Sequence, residues 1–184
     1  MGSHLRGNDC HSHESRLTVW FTADTHFGHG GALGRFKRPF RSVAEMDEAL
    51  IARWNDRVRK RDEVWHVGDF AYRMPAERMA TVLARLNGVK HLVTGNNDGA
   101  DTMSLGGWAS VQPYREMELE GYRLVLCHYP FRTWNGMYKG AYNLHGHSHG
   151  QLAGLTRQVD VGVDVWDFRP ITLDELRARR KRRA

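Results

Sequence analysis

The sequence predicts an α/β fold in which two β-sheets pack as a sandwich flanked by helices. Three observations lead there. Five short runs of strand composition, at 17–21, 64–67, 89–93, 124–127 and 141–144, each end at an island of polar side chains. Segments of helical periodicity separate the first three runs. A hairpin pattern follows at 116–120 and 122–127, turning at Gly121, and its antiparallel strands would complete a second sheet.

Run 17–21 leads into Asp24-Thr-His26 and a turn with Gly28, Gly30 and Gly31. Ser42-Val-Ala-Glu45 then reads as a capping box that opens a helix through about Arg59. Val43, Met46, Leu50, Trp54 and Val58 recur at helical spacing and form its sheet-facing side. Run 64–67 ends at Gly68-Asp69. Pro75 suits the first turn of a second helix, where an N–H has no partner to lose. Met79, Val82, Leu83 and Leu86 make its buried stripe, and Asn87-Gly88 ends it.

Run 89–93 delivers Gly95-Asn96-Asn97-Asp98, after which the alternation weakens until the hairpin. Run 124–127 precedes His128, and run 141–144 precedes Gly146-His147-Ser148-His149. Over 159–165 valines alternate with Asp160, Gly162 and Asp164, which predicts another strand. Thr172-Leu-Asp-Glu175 caps a short last helix. His66 and His91, inside apolar runs, read as hydrogen-bonded core or edge residues.

These elements make one domain, 17–176, preceded by a polar leader (1–16) expected to be disordered and followed by a basic tail (177–184). At 184 residues and 41% hydrophobic content the chain is long enough to bury a sizeable core. No apolar run is fit to span a bilayer and no signal-peptide core opens the sequence, so a cytoplasmic location is expected. Two cysteines make no disulfide framework. Cys127 reads as a small buried thiol and Cys10 belongs to the leader, which fits a reducing compartment.

A net charge of +6 invites a nucleic-acid partner, but its placement argues otherwise. Six of the 27 basic residues lie between Arg177 and Arg183, and the remaining 21 equal the 21 acidic ones. Such a run is more often a solvated tail than a phosphate-backbone contact.

The polar islands carry the chemistry. A carboxylate and an imidazole two residues apart, as in Asp24 and His26, are commonly solvated or structural when they stand alone. The ordered set is different, because side chains at strand ends of an open α/β sheet converge on one crevice. Asp24, His26, Asp69, Asn96, His128, His147 and His149 mix imidazole nitrogens with carboxylate and amide oxygens and include no thiolate. That donor set suits Mn, Fe, Zn or Ni rather than magnesium alone. Seven ligands exceed one ion and suffice for two divalent transition-metal ions, if Asp69 bridges them.

The pattern D-x-H, G-D, G-N-x-D, H and G-H-x-H resembles the calcineurin-like metallophosphoesterase superfamily. His26-Phe-Gly-His29, Arg38-Pro-Phe40, Val64-Trp-His-Val-Gly-Asp69-Phe and Leu144-His-Gly-His-Ser-His-Gly150 resemble its small single-domain bacterial and phage branch. The resemblance spans 17 to about 176 and implies a four-layer αββα architecture. It further implies that Asp24, His26 and His149 hold one ion, that Asn96, His128 and His147 hold the other, and that Asp69 joins them. Manganese is the first expectation. The implied reaction is phosphodiester hydrolysis by in-line attack of a metal-bridging hydroxide, with Asp69, His128 and Asn97 in the catalytic set.

Asn97 departs from the family, which often has histidine at this position near the leaving group. A carboxamide can donate a hydrogen bond but delivers no proton, and general acid help is typically worth about 10²–10⁴ in rate. Diesters or activated esters are therefore expected over alkyl monoesters. Substrate contacts are expected from Asn97, His29, Arg132 and Trp134. For His29 the competing reading is a turn residue. For the loop carrying Tyr129, Phe131, Arg132 and Trp134 it is a roof over the core. The substrate is a phosphoester, with a nucleotide or nucleic acid among the candidates. The rivals are a phosphomonoesterase or nucleotide pyrophosphohydrolase with the same centre, and a catalytically weak metal-binding scaffold for protein or nucleic-acid partners.

Overall fold

The computed structural model describes residues 17–181. The leader, with Cys10, His4, His11 and His13, and the last three residues of the basic tail lie outside them. In chain order the described residues form β1 (Val19–Thr22), α1 (Gly30–Arg35), α2 (Val43–Asn55), β2 (Glu63–His66), α3 (Ala76–Arg85), β3 (Val89–Val93) and α4 (Ala100–Met103). There follow β4 (Trp108–Gln112), β5 (Arg115–Leu119), β6 (Tyr122–Leu126), β7 (Tyr142–His145), β8 (Gln158–Asp160), β9 (Ile171–Thr172) and α5 (Leu173–Lys181). None of these helices is long and apolar enough to cross a membrane.

The fold class is the one expected, a mixed α/β structure with two sheets flanked by helices. The first sheet has the order β4-β3-β2-β1-β9, with β1 to β4 parallel and β9 antiparallel against β1. The second has the order β5-β6-β7-β8. Only its β5–β6 hairpin is antiparallel, and β6, β7 and β8 run parallel, which corrects the expectation of an antiparallel second sheet. Long loops carry the chain from β6 to β7 and from β7 to β8, so both can return in the same direction.

Strand alternation divides the apolar residues between two cores. On β1 and β2, Trp20 and Val64 face outward to Met46, Leu50 and Trp54 of α2 and to Met79 and Leu83 of α3. Their neighbours Phe21 and Trp65 face inward, where with Val67 and Val93 they meet Leu124, Leu126, Tyr142 and Leu144 of the second sheet. Leu173 and Leu176 of α5 complete this inter-sheet core. Each such side chain contributes about 1.5–3 kcal/mol through burial. The outer face of the second sheet is covered by the loop after His128, with Trp134 and Ala141 against Val125.

The two capping boxes and the hairpin turn operate as read, whereas α2 stops at Asn55 rather than near Arg59 and Pro75 caps α3 from just outside its first turn. Ser42 Oγ accepts from the Glu45 amide at 3.1 Å, while the Glu45 carboxylate takes the Arg41 amide at 2.8 Å. The same box opens α5, where Thr172 and Glu175 bond reciprocally. The basic run from Arg177 to Lys181 therefore continues a helix. At the hairpin, Glu120 (φ 52°) and Gly121 (φ 79°) both adopt the left-handed region, the two-residue turn that matches strand twist. The strand expected over 159–165 is corrected: β8 stops at Asp160, and residues 163–165 form a 3₁₀ turn. Helices α1 and α4 and strands β4 and β9 were not foreseen.

Candidate metal centre

The polar islands follow β1, β2 and β3 of the first sheet and β6 and β7 of the second, so two sheets supply one crevice. Immediately past the strand ends the backbone takes an unusual path. Asp24 (φ 57°), His26 (50°), Asp69 (60°), His147 (66°) and His149 (46°) all lie in the left-handed region. Each such residue costs about 1–3 kcal/mol unless its surroundings fix it, and such positions gather at functional sites.

Here the surroundings do fix them. The Asp24 amide donates to the Gly68 carbonyl at 2.9 Å and the His26 amide to the Asp69 carbonyl at 3.1 Å, lacing the β1 loop to the β2 loop. Asp98 ties the β2 and β3 loops together. Its Oδ2 accepts from the amides of Asp69 and Gly95, each at 2.8 Å, and its Oδ1 accepts from Phe70 at 2.9 Å. The His147 amide reaches the Asp24 carboxylate at 3.0 Å and so joins the two sheets. Glycines keep the crossing open, since a Cβ on Gly146 or Gly162 would lie 2.6 Å from Asp24 Oδ2.

All seven expected ligands come together. One donor atom each from Asp24, His26 and His149 lie within 4.8 Å of one another, as do donors from Asp24, Asp69 and His128. Asp69 Oδ2 stands 3.5 Å from both His26 Nε2 and His128 Nε2, between the two halves. Asn96 Oδ1 is 3.2 Å from His128 Nε2, and the His147 ring lies 5.2 Å from that of His128.

The donors fit divalent cations on an observation independent of their types. His26 is 2% exposed, and both of its ring nitrogens are buried without a hydrogen-bond partner. Buried polar atoms are otherwise nearly always paired. Burial also drives its pKa down to about 3, so the ring is neutral and a lone pair is free to coordinate. Burial pushes the Asp24 carboxyl up to about 7, against the opposing pull of His149 and His128. Burial works against protonation of His128, but the Asp69 and Asp24 carboxylates outweigh it and push the ring up to about 9. The field that draws a proton there would equally draw a metal ion.

Two of the candidate ligand rings are oriented through their second nitrogen, which leaves Nε2 facing the other donors. His128 Nδ1 bonds the Val67 carbonyl at 2.9 Å, and His149 Nδ1 bonds Asp164 Oδ2 at 2.7 Å. Asp160 plays a similar part for the loop, accepting from Ser148 Oγ and the Gly150 amide, each at 2.8 Å. Asp160 and Asp164 were visible in the sequence only as the polar half of an apparent strand. His145 is buried with Nδ1 on the Gly146 carbonyl, and His66 is buried against Thr25 Oγ1. His91 stacks on Trp65.

Above the donors opens a cleft of roughly 320 Å³. His29 lines it and stacks on Tyr72 at 4.1 Å, with Arg35 and Phe36 beside them. Asn97 also lines it, but its amide and Nδ2 donate to the two Asp69 oxygens at 2.8 and 2.6 Å. Trp134 is corrected as a substrate contact: it is 8% exposed, packs on Val125 and donates Nε1 to the Ala141 carbonyl. Arg132 is exposed on a separate groove beside Tyr138, away from the cleft walls. The loop carrying both turns over the outer face of the second sheet. Tyr129, next to His128, packs edge to face with His147 instead, the ring centres 4.8 Å apart. Arg35, Phe36 and Tyr72 escaped the sequence reading because no metal-ligand motif contains them.

Residues 17–163 match the model of the calcineurin-like phosphoesterase superfamily domain. The chain is 29% identical over 168 residues to an uncharacterized protein of Methanocaldococcus jannaschii, covering 87% of this chain and 89% of that one. It is 29% identical over 192 residues to the gene 66 protein of Mycobacterium phage D29, covering 86% and 94% respectively. A crystal structure of a protein of unknown function from Aquifex aeolicus shares the fold with a TM-score of 0.73 at 22% identity, covering 88% of this chain and 98% of that one.

Proposed function

Because the chain belongs to the calcineurin-like phosphoesterase superfamily, we propose that it hydrolyses phosphodiester bonds with two divalent transition-metal ions, manganese foremost. Asp24, His26 and His149 would hold one ion, Asn96, His128 and His147 the other, and Asp69 would touch both. A pair of ions held there would supply an activated water nucleophile and positive charge for the attacking and leaving oxygens. The observation that carries this reading is the His26 imidazole, buried with both nitrogens unpartnered among carboxylates from two loops.

The chain's own residues do the rest. Arg35 lines the cleft and has no carboxylate partner among the described residues, so its guanidinium is free for phosphoryl oxygens. Asn97 keeps Asp69 oriented and offers no proton to a leaving group, which supports diesters and activated esters over alkyl monoesters. The free, buried thiol of Cys127 accords with a reducing compartment, and we place the reaction in the cytoplasm.

The test removes metal from the purified protein, restores Mn²⁺, and compares hydrolysis of bis-p-nitrophenyl phosphate with that of p-nitrophenyl phosphate. Mn-dependent cleavage favouring the diester is the expected result. A protein that binds two ions and cleaves neither ester is a scaffold instead. Asn97→His is expected to raise turnover most for poorly activated leaving groups, by up to about 10²-fold if the new imidazole acts as a general acid. A rate gain independent of leaving-group pKa would remove that account of Asn97.

A further inference from the structure

Arg38 is a cation buried beside a centre that must attract cations, and its side chain is 0% exposed. All five of its N–H groups are engaged. Nε and Nη2 fork onto the two Asp164 oxygens, each at 2.8 Å. Nη2 also donates to the Asp24 carbonyl at 2.7 Å, and Nη1 donates to the Thr25 carbonyl at 2.9 Å and to Met46 Sδ at 3.5 Å. A buried ion pair is weak evidence for stability, because desolvation offsets its attraction. What distinguishes this pair is where its other contacts go.

Asp164, held by the fork, accepts His149 Nδ1 at 2.7 Å and so sets the ring that carries Nε2 to within 4.0 Å of Asp24 Oδ1. The two backbone carbonyls belong to the left-handed turn that presents Asp24 and His26. One guanidinium therefore reaches, through Asp164 or through the backbone, the segments that carry all three donors of one half of the centre. In the other half His128 leans on the Val67 carbonyl, and the shared Asp69 on Asn97, neither of which the guanidinium touches.

We propose that Arg38 and Asp164 are positioning residues for the Asp24/His26/His149 half of the centre and set its divalent-cation affinity while touching no ion. The inference rests on the two-ion reading above. Lysine cannot replace the arginine, because a point charge on a flexible stem cannot fork onto Asp164 and reach two carbonyls together.

The experiment titrates Mn²⁺ into the metal-stripped full chain by calorimetry, with metal content after dialysis as a second readout, for the wild type, Arg38→Lys and Asp164→Asn. Circular dichroism checks folding. Each folded variant is expected to lose about 10–100-fold in affinity for one ion, the usual cost of removing a ligand's outer partner, and to keep the other ion unchanged. Both variants binding two ions as the wild type does would overturn this inference alone, and equal weakening of both ions would also overturn it, as a general structural effect. A wild type that takes up no ion would overturn the metal reading itself. Asp164→Asn, which keeps side-chain volume, decides the matter if Arg38→Lys does not fold.

Discussion

Replacing Asp69 with asparagine is expected to lower Mn-dependent kcat/KM by at least about 10²–10³-fold, the scale on which losing one preorganised charge at a reacting centre is felt. The position allows little compensation. Asp69 Oδ2 stands equally far, 3.5 Å, from His26 Nε2 and His128 Nε2, so one substitution weakens both halves of the centre. Both carboxylate oxygens accept from Asn97, one from its backbone amide and one from its Nδ2. An asparagine keeps the backbone contact through its oxygen and can keep the side-chain contact only if the Asn97 carboxamide flips to accept from its NH₂, and it then presents neither charge nor a second oxygen to an ion. The backbone stays in place, because Asp98 holds the Asp69 amide whatever the side chain. Kinetics with bis-p-nitrophenyl phosphate and metal analysis of the same sample check the outcome. A folded variant retaining both ions and near-normal turnover would show that Asp69 does not join the two halves.

The parts of this molecule that were legible in the sequence are those whose cause is local. Ser42 and Glu45 cap α2 with atoms three residues apart, and Gly121 turns a hairpin that needs a left-handed residue at that spot. The candidate metal donors were legible for another reason: such chemistry needs scarce residue types, and strand ends space them in a fixed order. What stayed hidden depends on distant parts of the chain. Strand β4 alternates between half-buried and exposed residues, so it lacks the apolar period that reveals a strand. Helix α1 carries three glycines in six residues and follows no propensity rule. Asp160 and Asp164 mimicked strand alternation, although their carboxylates are there to hold Ser148, Gly150 and His149. Trp134 and Arg132 sit close to His128 in sequence, but the path of their loop, a property of the whole sandwich, takes them over the sheet and away from the cleft.

Gly95→Ala is expected to lower activity far more than it lowers stability. Gly95 does not need a left-handed backbone, so alanine brings no conformational penalty of its own. The cost is contact. Its Cβ would run into Asp69 Oδ1, lie 2.6 Å from the Asp69 amide nitrogen and come within 3.0 Å of His128 Cε1. The amide cannot retreat, because Asp98 binds it together with the Gly95 amide. The strain therefore falls on the Asp69 carboxylate, the His128 ring and the backbone link that Asp98 makes between Asp69 and Gly95. A misplacement near 1 Å at a reacting centre costs about 10²-fold, and kcat/KM should fall by that order. Overpacking at one buried contact lowers stability by only about 1–3 kcal/mol, too little to unfold a domain held by two apolar cores. Gly99→Ala is the control, since nothing lies within 4 Å of the added carbon, and it should leave both turnover and the thermal midpoint almost unchanged. Equal activity in the two alanine variants would mean that Asp69 and His128 tolerate displacement, which a centre built on their fixed spacing cannot do.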